Sequence, residues 1–237
     1  MSPPGAPPLG DPPNGAPEPE EFLACLDDAG RTALAARGRP RRWPAGASLF
    51  LEGDRSGAVV LIVSGRVKVF SITEQGEEVL LAVRGPGALL GELAAVDGAP
   101  RGASVAALEP VVALVVPAAE FVAFLSEHPG AATVLLRLVV SRLRDADRKR
   151  VEFGAHDIAA RVAGRLVELA DRFGEPDPAG VRIAVPLSQD ELAGWVGASR
   201  EAVAKALRVL RDRGLVTTGR RTMTVLDLDG LRRRSRG

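Results

Sequence analysis

At 237 residues the chain is long enough for two modest domains, each burying its own core. Hydrophobic residues make up 46% and charged residues 26%, a composition that sets aside disordered and membrane-embedded chains. The formal net charge of +1 conceals a local excess of Arg and Lys from Glu191 onward, the distribution expected of one phosphate-binding module in a nearly neutral protein.

No apolar run reaches the roughly 18 to 20 residues that span a bilayer. The longest, Val111 to Val116 and Val134 to Val140, are strand-length or interrupted by Arg137. The N-terminus has no basic region followed by an apolar one, and a single cysteine, Cys25, cannot form an internal disulfide. A cytoplasmic protein with no membrane partner is expected.

Met1 to Pro19 is mostly Pro, Gly, Ala and acid, a composition that predicts a disordered leader. Glu20 to Arg37 has helical spacing through Phe22, Leu26 and Leu34, broken by Gly30 and stopped at Gly38. From Trp43 to Pro117 the pattern changes to short β-rich runs. The strands expected are Ser48 to Leu51, Val59 to Ser64, Arg66 to Ile72, Glu78 to Val83, Ser104 to Leu108 and Val111 to Val116, with glycine turns between them. Short strands at such regular spacing imply a closed or rolled sheet.

Pro117 opens a short helix, Ala118 to Leu125, and Pro129 sits near the start of a longer one. Within it Leu136, Val139, Leu143, Ala146, Arg150 and Phe153 recur at alternating spacings of three and four, the seam by which two helices pack along each other. The alternative is a helix packed on its own β-roll. The polar flanks Arg142, Arg144, Asp145, Arg148 and Lys149 leave only a narrow apolar stripe, which favours a homodimer. Arg150 on this seam needs a carboxylate such as Asp147 or Glu152 opposite it. After a break near Gly154, Ile158 to Phe173 reads as an amphipathic helix, and Gly174 to Gly180 as a loop.

The most informative stretch runs from Leu187 to Leu207. Ser188 with Glu191 three residues on forms a capping box that opens a helix. Gly197 ends that helix in a tight turn, and Ser199 caps the next. Two short helices around a Gly-containing turn make a helix-turn-helix. Leu192, Val196, Val203, Leu207 and Leu210 are spaced to face inward, which leaves Arg200, Glu201 and Lys205 outward near the N-terminal end of the second helix. That end of a recognition helix reaches base edges. Arg pairs bidentately with guanine, and a carboxylate accepts from cytosine N4. Ser188, Gln189 and Ser199 suit phosphate contacts, which set register. Gly214 to Leu226 follows as a wing, two short strands around the basic turn Arg220-Arg221. The chain ends in Leu231-Arg232-Arg233-Arg234-Ser235-Arg236, read as a solvated charged tail in preference to a phosphate-binding one.

These residues resemble the cyclic-AMP receptor protein and fumarate–nitrate regulator (CRP/FNR) family of bacterial transcription factors, over roughly residues 40 to 226. The run Ala198-Ser199-Arg200-Glu201-Ala202-Val203 is close to the family's recognition-helix pattern, in which Arg and Glu read bases. The family's second basic reader, usually Arg, is Lys205 here, which keeps the charge and loses the bidentate fork. The resemblance implies an α+β fold: an N-terminal cyclic-nucleotide-binding-type β-roll (jelly roll), a long dimerisation helix and a C-terminal winged helix-turn-helix. The divisions expected are leader 1–19, β-roll sensor 20–128, dimerisation helix 129–154 and winged helix-turn-helix 155–237. It also implies double-stranded DNA, a second copy of the chain and RNA polymerase as partners.

In the family's cyclic-AMP branch a Gly-Glu-Leu turn and a later Arg-Ser or Arg-Thr pair hold the nucleotide. This chain has Gly91-Glu92-Leu93, then Arg101-Gly102. By that resemblance Glu92 accepts from the ribose 2′-hydroxyl, Arg101 pairs with the cyclic phosphate, and amides near Gly91 and Gly102 cradle its oxygens. Two positions depart. Gly102 lacks the hydroxyl, and Ala146-Asp147 stands where the family places Thr and then Ser or Asn against adenine. Asp147 can still accept from the adenine amino group. Cyclic AMP or another cyclic nucleotide as effector therefore stands beside two alternatives. One is a constitutive regulator with a vestigial pocket, and the other is a sensor or adaptor that does not bind DNA.

Other chemistries lack residues. An iron–sulfur cluster needs more than Cys25. Cys25, His128 and His156 are scattered without ligand spacing, so no metal or haem site is expected. No Gly-x-Ser-x-Gly, His-Glu-x-x-His or Walker-type pattern is present, and no enzyme is expected.

Overall fold

The computed structural model describes residues 21–55, 57–219 and 222–237; the Pro-rich leader Met1 to Pro19 lies outside them. Two compact units are present, one within Met1–Val69 and Val83–Ala146, the other within Phe70–Ala82 and Asp147–Gly237.

The first unit is built on a β-roll. Its elements are α1 (Asp28–Arg37), β1 (Arg39–Trp43), β2 (Ser48–Phe50), β3 (Ala58–Ser64), β4 (Val67–Ile72), β5 (Glu78–Arg84), β6 (Leu89–Leu90), α2 (Glu92–Asp97), β7 (Ser104–Ala107), β8 (Val111–Pro117), α3 (Ala118–Glu127) and the long α4 (Pro129–Ala155). Strands 4 and 5, and α4, contribute residues to both units. The sheets have the orders β1-β8-β3-β6 and β2-β7-β4-β5.

Strand β3 shows why the roll holds. Alternate residues point to opposite faces, and both faces are covered. Val60 and Ile62 join Trp43, Val67, Val105 and Val111 in one core. Val59 and Leu61 join a second core with Leu34 of α1, Phe121 and Phe124 of α3, and Leu135 and Leu138 of α4. A strand buried on both sides reads as an unbroken apolar run, as Ala58–Val63 does.

Several boundaries differ from the sequence reading. The first helix begins at Asp28, and residues 21–26 form a turn that buries Phe22 and Leu26. Gly30 does not break this helix. It sits in the first turn and donates its N–H to the capping Asp27 carboxylate at 2.7 Å, and a Cβ there would lie 2.9 Å from that oxygen, so a larger residue would have to shift the cap. Strand β1 went unread because four of its five residues, Arg39-Pro40-Arg41-Arg42, are exposed on a sheet edge.

The second unit contains α5 (Ile158–Phe173), β9 (Gly174–Asp177), β10 (Gly180–Ile183), α6 (Gln189–Val196), α7 (Arg200–Asp212), β11 (Val216–Gly219), β12 (Thr222–Val225) and α8 (Leu228–Ser235). The stretch read as a loop, Gly174 to Gly180, is instead mostly strand and turn. It forms because Val181 and Ile183 of β10 pair with Val225 and Met223 of β12, completing the sheet β11-β12-β10-β9.

The basic terminus is likewise not a free tail. Asp227 caps α8 through the Gly230 N–H at 2.8 Å, and Leu231 is fully buried. Arg232 pairs with Asp171 and Arg234 with Asp157, both at 2.7 Å. Both aspartates are far away in sequence, so the clamp leaves no local trace.

Candidate functional site

The helix-turn-helix is assembled by short-range contacts. Ser188 Oγ accepts from the Glu191 N–H at 3.1 Å, and the Glu191 carboxylate accepts from the Ser188 N–H at 2.8 Å, so α6 opens on a closed capping box. Gly197 takes the left-handed conformation (φ +59°) in the turn, which glycine adopts without steric cost. Ser199 Oγ then accepts from the Ala202 N–H at 3.2 Å and starts α7.

On α7, Val203, Ala206, Leu207 and Leu210 are buried, whereas Arg200, Glu201 and Lys205 are exposed. Arg200 approaches Asp190 at 3.5 Å with both side chains about two-thirds exposed, a pair weak enough to yield to a base or phosphate. Its own backbone amide and the Ser199 hydroxyl hold the Glu201 carboxyl below the ordinary range, so it presents an anionic acceptor at neutral pH. Sequence reasoning passed over Arg208, which is exposed one turn beyond Lys205 on the same face. It also passed over Arg211, which donates to Thr218 Oγ1 at 2.8 Å and ties α7 to the wing.

Gln189 and Ser199 are exposed and Ser188 is half-buried. Ser188 and Gln189 line a cavity of about 210 Å³ with Leu207 of α7 and Thr218, Gly219 and Thr222 of the wing. Arg220 and Arg221 lie outside the described residues.

In the first unit the Gly-Glu-Leu turn and Arg101 come together. Gly91 has φ +76°, and a Cβ there would overlap the Arg101 guanidinium. Arg101 is nearly buried, donates Nη1 to the Gly91 carbonyl at 2.8 Å and Nη2 to the Ala58 carbonyl, and lies 4.2 Å over the Phe50 ring. Burial pulls its pKa below the ordinary guanidinium range, and the Glu92 and Asp54 carboxylates oppose that pull. Glu92, only 2% exposed, accepts from Arg142 Nη1 at 2.5 Å, while Arg142 Nη2 bonds the Leu89 carbonyl at 2.8 Å.

Arg142 is thus part of the constellation. Fifty residues of separation left no sequence signal except its place among the polar flanks of α4. Leu93 is exposed, and Gly102 has open space where a side chain would be. Asp147 lies 3.9 Å from Arg150 along α4.

Along α4, Leu136 and Leu143 are more than half exposed, and Val140 and Ala146 are exposed as well. Val139 is half-buried against its own core. Arg150 is exposed, and Phe153 faces the Gly197 turn, where a Cβ would lie 2.5 Å from its ring. Among the described residues no cluster of three or more His, Cys, Asp or Glu is placed to hold a metal ion, and no helix is long and apolar enough to cross a membrane.

A β-roll, a long helix and a winged helix-turn-helix together define a class of DNA-binding transcription regulator. Residues 40–128 match the cyclic nucleotide-binding domain family, and residues 160–234 match the Crp-like helix-turn-helix domain. The chain is 33% identical to the CRP-like cAMP-activated global transcriptional regulator of Mycobacterium tuberculosis, over 86% of this chain and 91% of that protein. It is 32% identical to the cyclic AMP receptor protein of Thermus thermophilus, over 78% of this chain and 82% of that one. A solved CRP-family transcriptional regulator, also from Thermus thermophilus, superposes with a TM-score of 0.70 at 25% identity, covering 83% of this chain and 97% of that one. The chain belongs to the CRP/FNR family of transcription regulators, and it is a DNA-binding regulator of that type.

Proposed function

We propose that the protein acts as a cytoplasmic, non-enzymatic homodimer on palindromic DNA, and that a cyclic nucleotide in the β-roll controls it. One observation carries the DNA-reading assignment. On α7 every inward apolar side chain is buried, while Arg200, Glu201 and Lys205 stand exposed together at its N-terminal end. In this reading Arg200 pairs with guanine, Glu201 accepts from cytosine and Lys205 adds a point charge. Ser188, Gln189, Ser199, Arg220 and Arg221 hold phosphates.

The exposed leucines of α4 support the dimer, because an apolar stripe of this kind is stable in water when a second copy covers it. Two reading helices then lie about one DNA turn apart, ~34 Å, a geometry that also presents the protein to RNA polymerase.

Support for effector control comes from the polar groups of the β-roll. A cyclic phosphate competes with the Gly91 and Ala58 carbonyls for Arg101, and a ribose hydroxyl competes with Arg142 for Glu92. Because Arg142 belongs to α4, releasing it favours one arrangement of the dimer helix over another, which shifts a population between states. Asp147 offers an acceptor for the adenine amino group. The constitutive alternative has its own support: Glu92 and Arg101 are already bonded within the chain, and Gly102 and Ala146 supply no hydroxyl.

Selection of oligonucleotides by the full-length protein, with and without cyclic AMP, cyclic GMP and cyclic di-GMP, separates these readings. A palindrome is expected, enriched further by one nucleotide. Enrichment indifferent to all three selects constitutive binding, and no enrichment overturns the assignment. Arg200→Ala should cost about 1–3 kcal/mol of DNA affinity, roughly 5- to 150-fold, and relax preference at one base pair.

A further inference from the structure

The second unit holds a buried charge cluster that neither DNA contact nor nucleotide binding uses. Arg165 on α5, with a side chain only 5% exposed, pairs with Glu152 near the end of α4 and with Glu168 on its own helix at 2.7 Å. Lys149, one turn before Glu152, reaches Glu168 at 3.6 Å. Both cations also face the indole of Trp195 on α6, Lys149 at 5.6 Å and Arg165 at 5.8 Å from its centre. Trp195 is 4% exposed, and its Nε1 has no hydrogen-bond partner among the described residues. The ring is therefore held through its π-face by two cations from two different helices.

A second contact lies beside the first. Phe153 packs on the turn at Gly197, and Arg161 lies 5.2 Å over the Phe153 ring while donating to its backbone carbonyl at 3.1 Å. The last turns of α4 therefore grip both the body of α6 and the turn that leads to α7.

Buried ion pairs add little net stability, since desolvation offsets much of their attraction; their best-attested use is to fix register between packed elements. An apolar contact of the same area tolerates sliding, whereas sliding here would separate Glu152 from the buried Arg165 and Glu168 from Lys149. It would leave pairs within each helix, such as Arg148 with Glu152 at 3.8 Å and Arg172 with Glu168 at 3.7 Å, but none of the pairs that join the two helices. We infer that Arg165, Lys149 and Trp195 are positioning residues for DNA reading. They fix the angle at which each reading head leaves α4, and so the distance between the two recognition helices. This rests on the dimeric, palindrome-binding assignment above and adds the element that sets half-site spacing.

The test uses full-length protein on the palindrome it selects, and on versions with one base pair inserted into or deleted from the spacer. The quantity read is the ratio of the dissociation constants for altered and selected spacing, which loss of folded protein alone does not change. Wild type should discriminate. Arg165→Met and Lys149→Met should each lower the ratio, by about 2- to 30-fold, and Arg165→Lys should recover only part of it because the fork is lost. If Arg165→Met does not fold, Lys149→Met decides, since it leaves Arg165 between both carboxylates. Folded variants that keep the wild-type ratio overturn the proposal while leaving the DNA reading intact. A wild-type protein that selects no palindrome overturns both.

Discussion

The reading helix and the nucleotide turn are both polar constellations on a well-packed scaffold, yet they stand in opposite states. Arg200, Glu201 and Lys205 are exposed and lightly held, with the nearest ion pair at 3.5 Å. Glu92 and Arg101 are buried and already bonded to Arg142, Gly91 and Ala58. In the proposed function, DNA can therefore meet these three side chains without the chain giving up a strong contact. A cyclic nucleotide bound as proposed in the β-roll would have to displace internal partners first, each exchange being worth about 0.5–1.5 kcal/mol net, or more with a charge involved. A site that must break internal bonds can transmit a signal, whereas an open one can only receive its partner. The difference is the one expected if, as proposed, one unit senses and the other reads.

The largest effect expected is at the turn that brings Arg101 in. Gly91→Ala puts a Cβ into a left-handed residue and into the guanidinium at once. The backbone strain costs about 1–2 kcal/mol, and displacing Arg101 from its carbonyls adds about 1–3 kcal/mol. Gly98→Ala makes the natural control, since Gly98 has a similar φ of +73° but open space around it. Thermal unfolding should show Gly91→Ala the more destabilising of the two by that second increment. Equal losses would mean that Arg101 is free to move away, and the contrast between a filled and an open site would fail.

On the reading side the test is smaller. Ser188→Ala removes the hydroxyl half of the capping box, with an expected loss of about 1 kcal/mol of stability measured by urea unfolding. The Glu191 carboxylate would keep the backbone N–H of residue 188 but lose the hydroxyl donor at 2.9 Å. A loss near zero would show that α6 is held by tertiary packing alone and not by its local cap.

How much of this was legible follows from the range of each interaction. The capping box at Ser188, the turn at Gly197 and the cap at Ser199 are written within a few residues, and the structure forms all three. The Gly91–Arg101 pairing spans ten residues and came through resemblance rather than through spacing. Arg142 with Glu92, Arg165 with Glu152, and Arg234 with Asp157 join separate elements, and no periodicity marks the partner of any of them. The β1 edge and the β9–β10 hairpin were missed for another reason. Their residues are polar or turn-forming, and their strand character comes from the neighbours they pair with, β8 and β12.

The smallest effect concerns one of those long-range pairs. Asp157 caps α5 by accepting from the Ala160 N–H at 2.7 Å, and both its oxygens accept from Arg234 at 2.7 Å. The Arg234 hydrogen bonds, with the Ala160 amide second, hold its carboxyl below the ordinary range. Its pKa in the folded chain is depressed, so the stabilisation is complete above the unfolded value of about 3.9 and is lost as pH falls through the folded value. Asp157 is mostly exposed, and screening limits the pair to about 0.2–1 kcal/mol. Asp157→Asn keeps a competent cap, because Asn and Asp serve equally there, while removing the charge. Urea unfolding of the two proteins should differ by that amount at pH 7, and the difference should shrink steadily as the pH is lowered below the unfolded value. A difference that persists unchanged in acid would mean that the cap, and not the ion pair to α8, holds the arginine-rich terminus in place.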